Sequence, residues 1–366
     1  MEGLQPPSYN VNLARCLRQR MQSTLSSYWI DPDGTPNHSH ACSDHYTYKI
    51  LTDDFDPDDV FPEIIMLKNQ LSSNLSKMLT SEQDIILEEH ILELLAAMIY
   101  GSNMIEDAGC SFYITSEFCK SIFAGQHAGS SECENFGGLW PEIKDYLERN
   151  HRSTELADIE RCRRETVQHA NAASYIISKL YLEDRDLSED IILETHGILT
   201  CGVDAASTPW KEYSGVYRTD EVSAGLHSFP HHTLVPNKMK AMVRDLNSEL
   251  KAAIKNRMVD PIAIAAKYTH IFVNIHPFID GNGRMCRLIL NGLLLKLGSF
   301  PVCIGETEDD RFIYLEITAK GSALEYVYED LDDIKKPAIH GELGSFVMSH
   351  IKKSLQGLVT ATSTAI

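Results

Sequence analysis

The segment His276-Pro-Phe-Ile-Asp280-Gly-Asn-Gly-Arg284-Met-Cys-Arg287 decides the fold. Ahead of it, Ile262 to Ile275 carries Ala, Ile, Phe and Val on most faces of a helical projection, the pattern of a buried helix. Pro277 disfavours the helical conformation in the residue before it, so this helix stops at His276. Phe278 to Gly283 is too rich in Gly and Asn for regular structure, and a second apolar helix runs from about Gly283 to Leu297. Helix, polar loop and helix put the loop at the N-terminus of the second helix.

Such a loop has definite chemistry. Backbone N–H groups at a helix start, together with a Gly-Asn-Gly turn, form a concave donor site for phosphate oxygens. Gly281 and Gly283 allow the backbone a close approach that a Cβ would obstruct. Arg284 and Arg287 lie three apart on the helix, so both can face one anion. Asp280 is a hard oxygen ligand suited to Mg²⁺. His276, held at the end of the preceding helix, can accept a proton from an incoming hydroxyl. Singly, a His before a proline ends helices, Asp-Gly makes turns and an Arg pair faces solvent. Their meeting in one loop between two apolar helices is what points to phosphate chemistry.

Outward from this loop the chain reads as almost all helix. Apolar residues recur at helical spacing over Phe61 to Leu79 and Glu82 to Tyr100, after which Gly101 interrupts the pattern. Further helices are expected at Trp140 to Arg149, Glu155 to Tyr181, Ser188 to Leu199 and Pro236 to Lys255, each starting near a cap or a proline. Between Gly215 and Pro236 the period changes. Val216, Tyr217, Val222 and Phe229 favour β-structure and are punctuated by Gly225 and Pro230, which suits a short hairpin. Two strands cannot make a core sheet, so this hairpin is expected to be exposed and to lie over something. The expected fold class is all-α, a helical bundle with a short β-hairpin. Its expected divisions are a flexible or irregular region over 1–60, a helical region over 61–170, a core over 171–335 and a C-terminal helix and tail over 336–366.

Composition narrows the functional classes. A formal charge of −19 over 366 residues argues against a large phosphate-tracking surface and hence against a nucleic-acid-binding regulator, while leaving room for a small buried anion site. No stretch reaches the roughly 20 apolar residues that span a bilayer, and the first residues lack a basic start followed by an apolar run. Nine cysteines follow no paired framework and are expected as reduced thiols, which suits a cytoplasmic or nuclear location. His38, His40, Cys42 and His45 cluster within a segment rich in Asp, Pro, Ser and Gly; with no second ligand pair at zinc-site spacing, they read as a solvated loop rather than a metal site.

At the motif the sequence resembles a family. His276 to Arg287 matches the Fic signature His-x-Phe-x-Asp/Glu-Gly-Asn-Gly-Arg-x-x-Arg at every specified position. The resemblance extends over roughly residues 90 to 330 and includes the hairpin and a downstream Arg311 to Tyr314 segment. It implies a protein adenylyltransferase that moves AMP from ATP to a Ser, Thr or Tyr hydroxyl of a target protein. It implies that His276 is the catalytic base and that Asp280 binds the Mg²⁺ bridging the α- and β-phosphates. Gly281, Asn282 and Gly283 would line the anion hole, Arg284 would hold the phosphates and Arg287 the γ-phosphate. Phe278 would anchor the loop in the core. The hairpin would be the family's flap, with Ala224, Gly225, Leu226 and His227 near ATP and its edge holding the target by strand addition. Tyr314 would be a downstream nucleotide contact. Members often dimerise, so a homodimer is a further expectation.

A second family feature lies upstream. Many Fic proteins carry a Ser/Thr-x-x-x-Glu-Gly/Asn inhibitory helix, and Ser102-Asn-Met-Ile-Glu106-Asp107 resembles it except at Asp107. The resemblance implies that Glu106 pairs with Arg287 and blocks productive placement of the γ-phosphate. Two alternatives use the same residues: removal of AMP from a modified protein, with Glu106 orienting a water, and a nucleotide-binding module of low turnover.

Overall fold

The structure is a computed structural model that describes residues 12–24, 48–51, 55–77, 80–125, 138–206, 208–224, 227–256, 259–328 and 338–363. In chain order the first helices are α1 (Leu13–Thr24), α2 (Pro57–Ser76), α3 (Ser81–Ile105), α4 (Phe112–Phe123), α5 (Trp140–Arg149) and α6 (Leu156–Ile177), the last extended by a π-turn at Ser178–Leu182. Then come α7 (Glu189–Thr200) and the short α8 (Trp210–Tyr213), followed by β1 (Ser223–Ala224) and β2 (His227–Ser228). The remainder is α9 (Val235–Asn256), α10 (Pro261–Ile275), α11 (Asn282–Gly298), α12 (Glu308–Val327) and α13 (Gly341–Ser363). The protein is an all-α bundle with one two-stranded antiparallel hairpin among the described residues, registered Ser223 to Ser228 and Ala224 to His227.

Local chemistry starts and stops the central pair. Asp260 accepts hydrogen bonds from the N–H groups of Ile262 (3.1 Å) and Ala263 (3.0 Å), and Pro261 occupies the position where a missing N–H costs nothing. At the other end His276 turns left-handed (φ 48°) as the cap, the outcome expected from Pro277. α10 and α11 pack on each other, α6 covers α11, and α13 covers α10. Ile262, Phe272, Ile289, Leu290, Leu293 and Leu294 are fully enclosed in the one continuous core. Truncating any of these to Ala would cost about 2–5 kcal/mol, so the loop between the two helices is carried on the most rigid part of the molecule.

The structure departs from the sequence reading in four places. α3 does not break at Gly101 but runs on to Ile105. Gly101 is a contact glycine, since a Cβ there would collide with the carbonyl of Ile304. Within the supposedly irregular 1–60 region, α1 is an ordered amphipathic helix whose Leu13, Ala14, Leu17 and Met21 enter the core against α3. The hairpin strands are two residues each, and Val216 and Tyr217 precede them: Tyr217 packs on Phe278 at 5.8 Å, and Val216 is exposed. α4 was not expected at all. The described cysteines are free thiols, with the buried Cys110 and Cys162 sulfurs 3.1 Å apart. No described helix is long and apolar enough to cross a membrane. The His38, His40, Cys42 and His45 cluster lies outside the described residues.

Candidate active site

The loop from His276 to Arg284 is held by its own side chains before any ligand is considered. Asn282 accepts from the Phe278 N–H through Oδ1 (3.0 Å) and donates to the Phe278 carbonyl through Nδ2 (2.8 Å). Its side chain therefore braces the turn, leaving only its backbone N–H for the cleft. Phe278 is fully buried and stacks on His196 with ring centroids 3.6 Å apart. The Gly215 N–H donates to His196 Nδ1 (2.9 Å), which fixes the proton on Nε2, and Nε2–H donates to the carbonyl of Asp280 (2.9 Å). Burial pushes the pKa of His196 down to about 4, so this clamp is a neutral imidazole.

His276 is held as a neutral imidazole with one nitrogen unprotonated. Its Nδ1–H donates to the Val273 carbonyl (3.2 Å), leaving the Nε2 lone pair free of the proton. Burial, with the nearby Arg218 and His227 adding to it, lowers its pKa to about 4 against the opposing influence of Val273 and Glu106. The ring stacks under Phe229 at 3.8 Å, so the residue following β2 lies over the imidazole, which is what the hairpin covers. Arg218 ties the two together. Buried, it donates to the carbonyls of His276 (2.8 Å), Asp220 (2.9 Å) and Pro230 (2.5 Å), and its backbone N–H donates to Pro277 (2.9 Å).

On the other side of the loop lies an anion-seeking surface. α11 begins from Gly281 (φ 80°) with no side-chain cap, so its first-turn N–H groups are left for another acceptor. Arg284 is buried, and its Nε and Nη1 have no hydrogen-bond partner, while Nη2 stands 3.7 Å from Asp280 Oδ2. A buried guanidinium left unbonded is costly and calls for an acceptor. Asp280 is part-exposed; it takes the Gly281 N–H on Oδ1 (2.6 Å) and turns Oδ2 to the cleft, a hard oxygen of the kind a divalent cation binds. The cleft, about 380 Å³, is lined by His276, Asp280, Gly281, Asn282, Gly283, Arg284 and Glu106 together with Arg152 and Arg161.

Arg287 sits behind this surface, engaged by α3 through Nε and Nη2. Its Nε donates to Ser102 Oγ (2.7 Å), and Nη2 donates both to the Ser102 carbonyl (2.8 Å) and to Glu106 Oε1 (2.7 Å). The uninterrupted course of α3 makes this reach feasible, because Ser102 and Glu106 are then one turn apart on the same face. The Glu106 carboxylate lies against Gly283, in the space a Cβ would fill. Asp107 takes a different direction. It adopts φ 52°, the left-handed conformation that Gly or Asn favours, and pairs with Arg311 at 2.7 Å, away from Arg287.

The other expected residues divide. Tyr314 is buried beneath Arg287, with the guanidinium 5.5 Å over its ring, and does not line the cleft; its contact is with the arginine, not the ligand space. His227 lies edge-on to Phe229 with ring centroids 4.8 Å apart, and Ala224 pairs with it across the hairpin, whereas Gly225 and Leu226 fall outside the described residues. Sequence reasoning missed His196, Arg218, Arg152 and Arg161. Nothing in helical spacing marks a buried His or a loop Arg as a clamp; only the polarity of His196 within the apolar run Ile191 to Leu199 gave a signal.

A polar loop between two buried helices, roofed by a hairpin and opening on a cleft lined by Arg152, Arg161 and Arg284 and by Glu106, Asp107, Glu165 and Asp280, is the arrangement to compare with known proteins. Residues 186–294 match the model of the Fic/DOC family. A Fido domain-containing protein of Dictyostelium discoideum is 41% identical over 97 residues, 26% of this chain and 65% of that one. The protein adenylyltransferase Fic of Drosophila yakuba is 31% identical over 157 residues, 43% of this chain and 29% of that one. The matched part thus spans less than two thirds of either relative. Among solved structures, a Fic domain-containing signaling protein from Bacteroides thetaiotaomicron aligns over 82% of this chain and 96% of its own, with TM-score 0.58 and 20% identity. Fic-1 from C. elegans aligns over 84% and 73% with TM-score 0.51 and 21% identity. These neighbours share the fold.

Proposed function

We propose that this protein transfers AMP from ATP to a hydroxyl side chain of a target protein, and that Glu106 restrains it. The observation that carries the reading is Arg284, a buried guanidinium with unbonded Nε and Nη1 beside an uncapped helix start and a neutral imidazole. Phosphates would supply the missing acceptors. The target hydroxyl gives its proton to Nε2 of His276 as its oxygen attacks the α-phosphorus. The bond from that phosphorus to the bridging oxygen breaks, and pyrophosphate leaves with the electron pair. The N–H groups of Asn282 and Gly283 with Arg284 stabilise the developing charge, while the Gly281 N–H stays on Asp280 Oδ1. Asp280 would hold Mg²⁺, which neutralises phosphate charge when bound. The target would lie along the hairpin edge by strand addition.

Restraint by Glu106 is supported by where its carboxylate rests. It is bonded to Arg287 and lies over Gly283, so the protein's own anion takes the place that a γ-phosphate would use. A second reading, hydrolytic removal of AMP, is favoured by one feature: Glu106 and His276 line the same cleft, so the carboxylate can orient a water. Intact mass after incubation with Mg-ATP tests transfer, with self-modification by one AMP expected. No AMP adduct on the Glu106→Gly variant or on any candidate target incubated with it, with α-labelled ATP, would sink the proposal. Release of AMP from a modified target would favour the second reading.

A further inference from the structure

Three side chains at the base of the hairpin have no part in AMP transfer as described. Glu221 precedes β1, and His231 and His232 follow β2. Glu221 Oε1 lies 3.4 Å from His231 Nε2 and 3.1 Å from His232 Nδ1, and one ligand-capable atom from each residue falls within 4.8 Å of the other two. Ligand atoms about 2.0–2.1 Å from a tetrahedral Zn²⁺ stand roughly 3.3–3.4 Å from one another, so the two measured separations are close to those of an assembled site. We propose that Glu221, His231 and His232 form a three-ligand site for a divalent transition metal, with Zn²⁺ the best match, that clasps the two ends of the hairpin.

The donor set distinguishes this site from the one at Asp280. Two imidazoles and one carboxylate suit Zn²⁺ or Co²⁺, whereas Mg²⁺ prefers oxygen ligands. A supporting contact is already present. His231 Nδ1 accepts from the Thr233 N–H (3.4 Å) and lies 2.8 Å from Thr233 Oγ1; with metal on Nε2 its proton would move to Nδ1, giving up the first contact and donating to Oγ1. Glu221 and His231 are exposed, which leaves the fourth position to water or to an incoming ligand. The second oxygen of Glu221 faces Arg218 Nη1 at 3.9 Å. That cation weakens the attraction for a metal but steadies the carboxylate. Because Arg218 also bonds to the His276 and Pro230 carbonyls, a metal here would fasten the hairpin to the end of α10.

The test is a titration of the full chain with Zn²⁺ by calorimetry and with Co²⁺ by visible absorption, in excess Mg²⁺ and at mildly alkaline pH. One equivalent is expected at this site, with the intense d–d bands of low-coordinate Co²⁺. Glu221→Gln and His232→Asn should each weaken it by about 10- to 100-fold or more, and Thr233→Val by about tenfold. The triple variant Glu221→Gln/His231→Asn/His232→Asn should lose that equivalent. The quadruple variant His38→Ala/His40→Ala/Cys42→Ala/His45→Ala should keep it. The proposal is overturned if the wild-type chain binds no Zn²⁺, if the triple variant binds as many equivalents as wild type, or if the quadruple variant loses them all. Binding is read directly, so the result stands apart from whether AMP transfer is observed.

Discussion

In the proposed reaction His276 is the residue on which the chemistry turns, and its setting makes specific demands. His276→Ala should reduce AMP transfer by at least about 100-fold while leaving ATP affinity nearly unchanged, since the imidazole handles a proton and not a phosphate. Single-turnover transfer at the wild-type rate would remove it as the base. Because burial lowers its pKa to about 4, the base is already neutral well below pH 7. kcat/KM in a Glu106→Gly background should stay flat from about pH 8 to about pH 5. A midpoint near 6.5, the ordinary histidine value, would contradict this. The same shifts act on stability. His276 and His196 prefer the neutral form when folded, so their contribution is present above about pH 6.5 and is lost as pH falls toward about 4. Urea midpoints should decline over that window. Asp280→Ala should weaken Mg²⁺-dependent ATP binding, and equal calorimetric affinities would count against it as the metal ligand. The motif made His276 and Asp280 legible in the sequence; His196 was not, because its two bonds run to the backbone of loops that only the fold brings together.

At the scale of the element, α3 is the regulatory piece of the proposed function. Removing the Glu106 carboxylate frees Arg287 and clears the space over Gly283. Glu106→Gly should therefore raise self-modification and target modification at least about tenfold over wild type. Unchanged transfer would end the inhibitory reading. Asp107→Gly should be nearly neutral, because Asp107 is exposed and its pair with Arg311 contributes only about 0–1 kcal/mol, while glycine accepts φ 52° without strain. Activity appearing only in the double variant would show that Asp107 shares the restraint. Helical periodicity located this element but placed its end at Gly101. Propensity reads a mid-helix glycine as a break, whereas here tertiary contact with the Ile304 carbonyl requires one. The hairpin was legible as a turn of period, but its strands came out short because buried Arg218 bonds the loop carbonyls that a longer ladder would have used.

At the scale of the molecule, the all-α class and the helix–loop–helix core were readable because their apolar runs are long and their punctuation is strong. The packing of α1, α2 and α13 around them was not, since amphipathic spacing says which face is buried and not against what. One such contact reaches the far end of α10 from a distant part of the sequence. Tyr48 donates its hydroxyl proton to Asp260 (2.6 Å), the carboxylate that caps the start of α10, the helix that ends at His276, and Ser345 on α13 grips the backbone of Lys49 from both sides. Anyone trimming the chain to a minimal Fic domain would meet this directly. A fragment opened at residue 55 would lack the phenol that fixes the first turn of the catalytic helix, leaving an apolar slot against Gly344 and a half-solvated carboxylate in its place.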